Sequence, residues 1–117
     1  MNCQEFATLS QYGIDVKVIV LHNDTLGMIV QLQDFFYNHH YSQCTLNKRK
    51  NLPMLAESLG VQGYHIEKQN ELMPVLEEAF AHKGPALIDI RISPEERVYP
   101  TVPGGKALSD MILGGDA

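Results

Sequence analysis

The chain's 117 residues suit one compact domain, and 44% hydrophobic with 20% charged residues is a globular composition, neither disordered nor fibrous. Nine Lys and Arg against fourteen Asp and Glu leave a net charge of -5, which argues against a nucleic-acid partner held through phosphate. No apolar run is long enough to span a bilayer, no basic-then-apolar leader follows Met1, and Cys3 and Cys44 signal neither a disulfide scaffold nor a zinc site, so a cytoplasmic protein with reduced thiols is expected.

Residues 2–12 place Phe6, Leu9 and Tyr12 on one helical face, and Gly13 suits the left-handed residue that closes a helix. The β-branched run 14–21 predicts a strand covered on both faces. His22-Asn23-Asp24-Thr25 is polar with N-cap chemistry, and Met28, Leu32, Phe35 and Phe36 recur at helical spacing over 26–37, where they read as core. Residues 38–50 are polar and aperiodic. Within them His39-His40 reads as solvated loop, since adjacent residues seldom chelate one ion, and Lys48-Arg49-Lys50 reads as the solvated start of the next helix. Asn51 caps a short helix with Pro53 in its first turn and Gly60 at its end.

Residues 61–67 predict a short strand. Leu72, Val75, Leu76, Ala79 and Phe80 then fit one helical face, with Glu71 in the first turn, His82 and Lys83 in the last, and Gly84-Pro85 as the stop. Residues 86–92 are the last strand, whose alternating Asp89 and Arg91 predict a less buried face. From Ser93 the prolines and glycines forbid regular structure until a short helix near 107–112. Strands alternating with helices mean an α/β layer with a partial parallel sheet and flanking helices, followed by an irregular C-terminal tail. The expected organisation is residues 1–92 as a partial α/β domain and 93–117 as its extended tail. Three strands are few for a parallel sheet, so exposed strand edges, or a partner over them, are expected.

Chemistry in such sheets sits beyond the carboxyl ends of strands. The segment Leu21 to Met28 fits: a strand feeds amide and carboxylate oxygens into a turn, and a helix opens with Gly27, where the backbone can approach a ligand. Oxygen donors of this kind suit Mg²⁺ shared with phosphate. A plain helix cap would look the same, and the residues alone leave both open.

Residues 18–33, VIVLHNDTLGMIVQLQ, resemble the second half of the thiamine diphosphate motif of the acetolactate synthase (acetohydroxyacid synthase) large subunit: paired Asn after a strand, then Leu-Gly-Met and a helix with Gln-Trp-Gln. The resemblance extends through Met1 to Thr8, Phe35-Phe36-Tyr37 with Tyr41-Ser42, Leu55-Ala56 with Leu59-Gly60-Val61, and Gly84 to Ile90. It ends in Val98-Tyr99-Pro100 with Val102-Pro103-Gly104, its most specific part. It implies the thiamine diphosphate-binding fold, incomplete here. It also implies Asn23 as a side-chain Mg²⁺ ligand, Thr25 as a backbone-carbonyl ligand, Gly27 and Met28 beside the cofactor, and Met28 and Leu32 on the substrate side. By the same resemblance the parent enzyme condenses pyruvate with a 2-oxoacid in branched-chain amino acid biosynthesis and is a homo-oligomer.

His22 stands where the family has its first Asn, and Leu32 where it has the Trp tied to acceptor preference. Residues 1–117 contain no Gly-Asp-Gly, whose Asp is the family's carboxylate ligand, and the expectation is a C-terminal fragment without the FAD-binding domain or the cofactor-activating Glu, inactive alone. The alternatives are a non-catalytic α/β interaction module or a piece of another thiamine diphosphate-dependent decarboxylase or carboligase. A receiver-like module fails, because it needs clustered acids and a strand-end acceptor Asp, whereas Asp24 stands alone and Asp89 lies mid-strand.

Overall fold

A computed structural model describes residues 2–46 and 50–114, so Lys48 and Arg49 of the basic run lie outside the described residues. The chain parts into two compact units, Met1–Asn23 with Asn47–Ser93 and Asp24–Leu46 with Pro94–Ala117.

The first unit is α/β. Its opening helix α1 (Glu5–Tyr12) ends as expected at Gly13, whose φ of 59° lets its N–H reach Ser10 while Ile14 N–H reaches Leu9. Strand β1 (Lys17–His22) follows, and helix α3 (Leu52–Ser58), strand β2 (Gln62–Ile66), helix α4 (Leu72–Ala81) and strand β3 (Ala86–Arg91) complete the unit. The three strands lie in the order β1-β3-β2, all parallel, with Lys17 and Gln62 both level with Ala86. Asn51 caps α3 as predicted, its side chain accepting from Met54 N–H at 2.9 Å.

Apolar residues fill both faces of β3. On one face Ala56, Val61 and Leu87 pack with Phe6, Val20 and Leu52. On the other Ile66, Ala79 and Ile88 pack with Leu72, Val75, Leu76 and Ile90. Gly63 permits the first packing: a Cβ there would come within 2.7 Å of the Pro53 carbonyl oxygen, so α3 lies directly on β2.

Three expectations for this unit need correction. Strand β1 is not covered on both faces, because Ile19 and Leu21 keep 47% and 65% of their surface exposed while α4 packs on β2 and β3. His82 and Lys83 fall beyond α4, whose end at His82 turns extended; the cation there is Lys17, whose ammonium donates to the carbonyls of His82 at 2.8 Å and Gly84 at 2.7 Å and to Asp15. Asp89 is 2% exposed, not on an open face, because β3 is the central strand and flanking imidazoles take its carboxylate.

The second unit is built on helix α2 (Gly27–Phe36). The expected N-cap chemistry is not used: Leu26 occupies the cap without a side-chain bond, and Asp24 takes a φ of 54°. Thr25 instead forms an antiparallel bridge with Thr45, in which Leu26 N–H donates to Cys44 and Leu46 N–H to Asp24, both at 2.8 Å. The side of α2 that reads as core is largely open. Met28, Leu32 and Phe36 are 56%, 44% and 55% exposed, while the buried residues are Val30 and Gln31. Gln31 earns its burial through bonds in both directions with the backbone of Val98, donating at 3.0 Å and accepting at 2.9 Å. The tail closes on itself through an antiparallel bridge between Thr101 and Ile112, and the predicted helix near 107–112 is one 3-10 turn, Leu108–Asp110. Among the described residues no helix is long and apolar enough to cross a membrane.

Candidate functional site

Parallel strands carry their side chains in step, so residues level in register share a face. Val20 is level with Asp89, and His65 of β2 is level with Asp89 from the other side. His22, two residues beyond Val20, therefore lies on the same face. Both imidazoles turn Nδ1 to the one carboxylate: His22 to Oδ1 at 3.1 Å and His65 to Oδ2 at 3.2 Å. The carbonyl of His22 also accepts Ile92 N–H at 3.0 Å, which ties the end of β1 to the chain leaving β3. Together these bonds fix the residue immediately before Asn23. Asn23 itself is partly exposed at the carboxyl end of β1, where a ligand of a parallel sheet is received.

A cavity of about 480 Å³ opens over this face of the first unit. His22, His65, Asp89 and Arg91 form its floor on the sheet, and Lys50 and Glu57 belong to the segment of α3. Sequence reading missed the cluster. Its members are separated by 67 and 24 residues, and only the register of three strands aligns them. The signal available was the alternation of Asp89 and Arg91 with apolar residues.

The second unit holds the remaining predicted residues. Thr25 is in the bridge, whose two bonds are made by the carbonyl of Asp24 and the N–H of Leu26 rather than by its own backbone carbonyl. Gly27 opens α2, and Met28 and Leu32 lie on the exposed side of the same helix, one turn apart. Further along, Asp34 accepts from Arg97 Nε at 2.5 Å, Tyr41 Oη at 2.5 Å and His39 Nδ1 at 3.1 Å. Burial pushes this carboxyl up, but the donors, Arg97 foremost, outweigh it and hold its pKa at about 2. Gln33 exchanges bonds with Ser42 in both directions. One helix thus pins both the 37–46 loop and the tail. Among the described residues no group of three or more His, Cys, Asp or Glu could hold a metal ion.

The family profile described as thiamine pyrophosphate enzyme, C-terminal TPP binding domain, matches residues 1–90. The chain belongs to this family. Its curated relatives include the mitochondrial acetolactate synthase of Schizosaccharomyces pombe, 40% identical over 97% of this chain and 17% of the relative. The acetolactate synthase large subunit of Haemophilus influenzae is 42% identical over 97% of this chain and 20% of its own length. The chain therefore spans about a fifth of the length of these relatives. Among solved structures, the thiamine diphosphate-dependent 4-hydroxybenzoylformate decarboxylase of Rhodococcus jostii RHA1 superposes with a TM-score of 0.68. It covers 75% of this chain and 16% of that one at 24% identity, a likeness of fold. The resemblance drawn from the Leu-Gly-Met turn and the Tyr-Pro ending is thus to the family that the relatives name, and the α/β reading with a three-stranded parallel sheet holds.

Proposed function

We propose that this chain supplies one half of the diphosphate grip of an acetolactate synthase catalytic subunit, with Asn23 as side-chain ligand and Thr25 as backbone-carbonyl ligand of Mg²⁺. Gly27 and Met28 lie beside thiamine diphosphate, and Met28 with Leu32 faces the substrate. The carrying observation is Asn23 at the carboxyl mouth of a parallel strand within a profile match over residues 1–90. The donor chemistry agrees: amide and carbonyl oxygens are hard ligands, few in number, as Mg²⁺ accepts when phosphate provides the rest. When bound, the cofactor would supply the acidic thiazolium carbon on which 2-oxoacid chemistry depends. The chain's own part is to hold and orient: His22, tied to Asp89 and to Ile92, steadies the strand end that presents Asn23.

In this reading residues 1–92 are the body of the cofactor domain and 93–117 its tail, and the parent joins pyruvate to a 2-oxoacid in branched-chain amino acid biosynthesis, in the cytoplasm, as a homo-oligomer. This chain alone is catalytically silent, because residues 1–117 bring neither the Gly-Asp-Gly carboxylate nor the activating Glu or FAD-binding domain of the resembled family. Calorimetric titration with thiamine diphosphate and Mg²⁺ tests the first point: binding is feeble or undetectable, and micromolar affinity would refute the half-site. Replacing Mg²⁺ by paramagnetic Mn²⁺ tests the assignment. In the presence of the cofactor it broadens the NMR signals of Asn23 and Thr25 before others, and Asn23→Ala removes the effect. Broadening centred elsewhere counts against the assigned ligands.

A further inference from the structure

One turn of α2 fastens two distant backbone segments. Gln31 donates to the Val98 carbonyl at 3.0 Å and accepts the Val98 N–H at 2.9 Å. Gln33 treats Ser42 in the same way, donating at 3.1 Å and accepting at 3.2 Å. Leu32 stands between the two glutamines. We propose, resting on the reading that Met28 and Leu32 face the substrate, that Gln31 and Gln33 are paired positioning residues. They set the tail at Val98 and the loop at Ser42 on the two flanks of Leu32, and so fix the width of the opening through which a 2-oxoacid side chain reaches that face.

Side chains on a helix step by about 100° per residue, so those of Gln31 and Gln33 leave on opposite sides of Leu32. Met28, four residues before Leu32, lies on the same stripe. Asp34 lies on the reverse of the helix, where Arg97 and Tyr41 reach it from the same two segments. The polar half of α2 thus carries the tail and the loop, and the apolar stripe stays open between their edges.

Burial does not hold these segments in place. Val98 keeps 59% of its surface exposed, and Tyr41, next to Ser42, keeps 52%. What fixes them is the complement of the amide. A glutamine offers a donor and an acceptor on one planar group, as a neighbouring strand does, and so satisfies both backbone groups of a single residue. Gln31 is 2% exposed, so its amide, once released from Val98, would bear the cost of an unmade buried bond. Methionine keeps the length of the side chain but lacks the amide donor and oxygen, which makes Gln→Met the substitution that opens the clasp without emptying the site.

The test uses the full chain without cofactor or substrate, so its failure leaves the Mg²⁺ assignment standing, and failure of that assignment leaves the clasp standing. In Gln31→Met, amide exchange at Val98 quickens roughly tenfold while that at Ser42 is unchanged; in Gln33→Met the two residues trade places. The width of the opening is read in Leu32→Cys, from the alkylation rates of that position by iodoacetamide and by a bulky pyrenyl maleimide, followed by peptide mass spectrometry. Adding either Gln→Met change raises the ratio of the maleimide rate to the iodoacetamide rate several-fold, whereas general loosening would speed both reagents alike. Should Gln31→Met not fold, Gln33→Met, at a half-exposed position, carries both readouts. A rate ratio left unchanged by Gln33→Met, or exchange that quickens equally at Val98 and Ser42 in a single variant, would overturn the proposal.

Discussion

Three side chains converge on Asp34, from the helix's own C-terminal loop (His39, Tyr41) and from the tail (Arg97). Its carboxyl is held at about 2, below the ordinary 3.8, so the ionised form is the one the folded second unit favours. The stabilisation is present above the ordinary value and is lost as pH falls from about 4 towards 2, and it amounts to about 2 kcal/mol at neutral pH. Asp34→Asn should remove that acid-range loss and speed amide exchange at Tyr41 and Val98 at pH 7. An acid titration of the variant with the same slope as the unaltered chain would contradict this account. At this scale the sequence was uneven to read. Asn23, Thr25 and Gly27 stood out because they share one short segment with a known motif. Asp34, Gln31 and the His22–Asp89–His65 cluster did not, since each matters through partners tens of residues away.

Helix and strand positions follow local chemistry, and these were legible. Gly13, the Asn51–Pro53 start of α3 and the Gly84-Pro85 stop each act within a few residues. What periodicity does not reveal is which neighbour a face meets. The spacing of Met28, Leu32 and Phe36 gave the helix but not its exposure, and the unbroken apolarity of β1 suggested cover that one of its faces lacks. The α3–β2 contact is the clearest case of packing that turns on a single atom. Gly63→Ala must displace the Pro53 backbone and should cost about 1–3 kcal/mol, read as a lower denaturant midpoint. Gly104→Ala is the control: nothing lies within 4 Å of its Cβ, and little change is expected. Equal stability of the two variants would mean that α3 yields freely.

Across the whole chain, an open β1 edge and the exposed Ile19 and Leu21 make association expected. Sedimentation should show a mass that rises with concentration, and Leu21→Lys should bring it towards the monomer. A clean monomer at high concentration before substitution would argue otherwise. The strand order has a consequence in time. β1 and β2 do not pair with each other; both wait for β3, which is the last of the three to leave a ribosome. Until residue 91 is out, the β-branched stretch near residues 16–21 has no ladder to join, and every sheet bond spans at least the crossover from β2. Such a chain condenses late and all at once, and during synthesis it depends on holding factors more than a hairpin-built protein of equal size would.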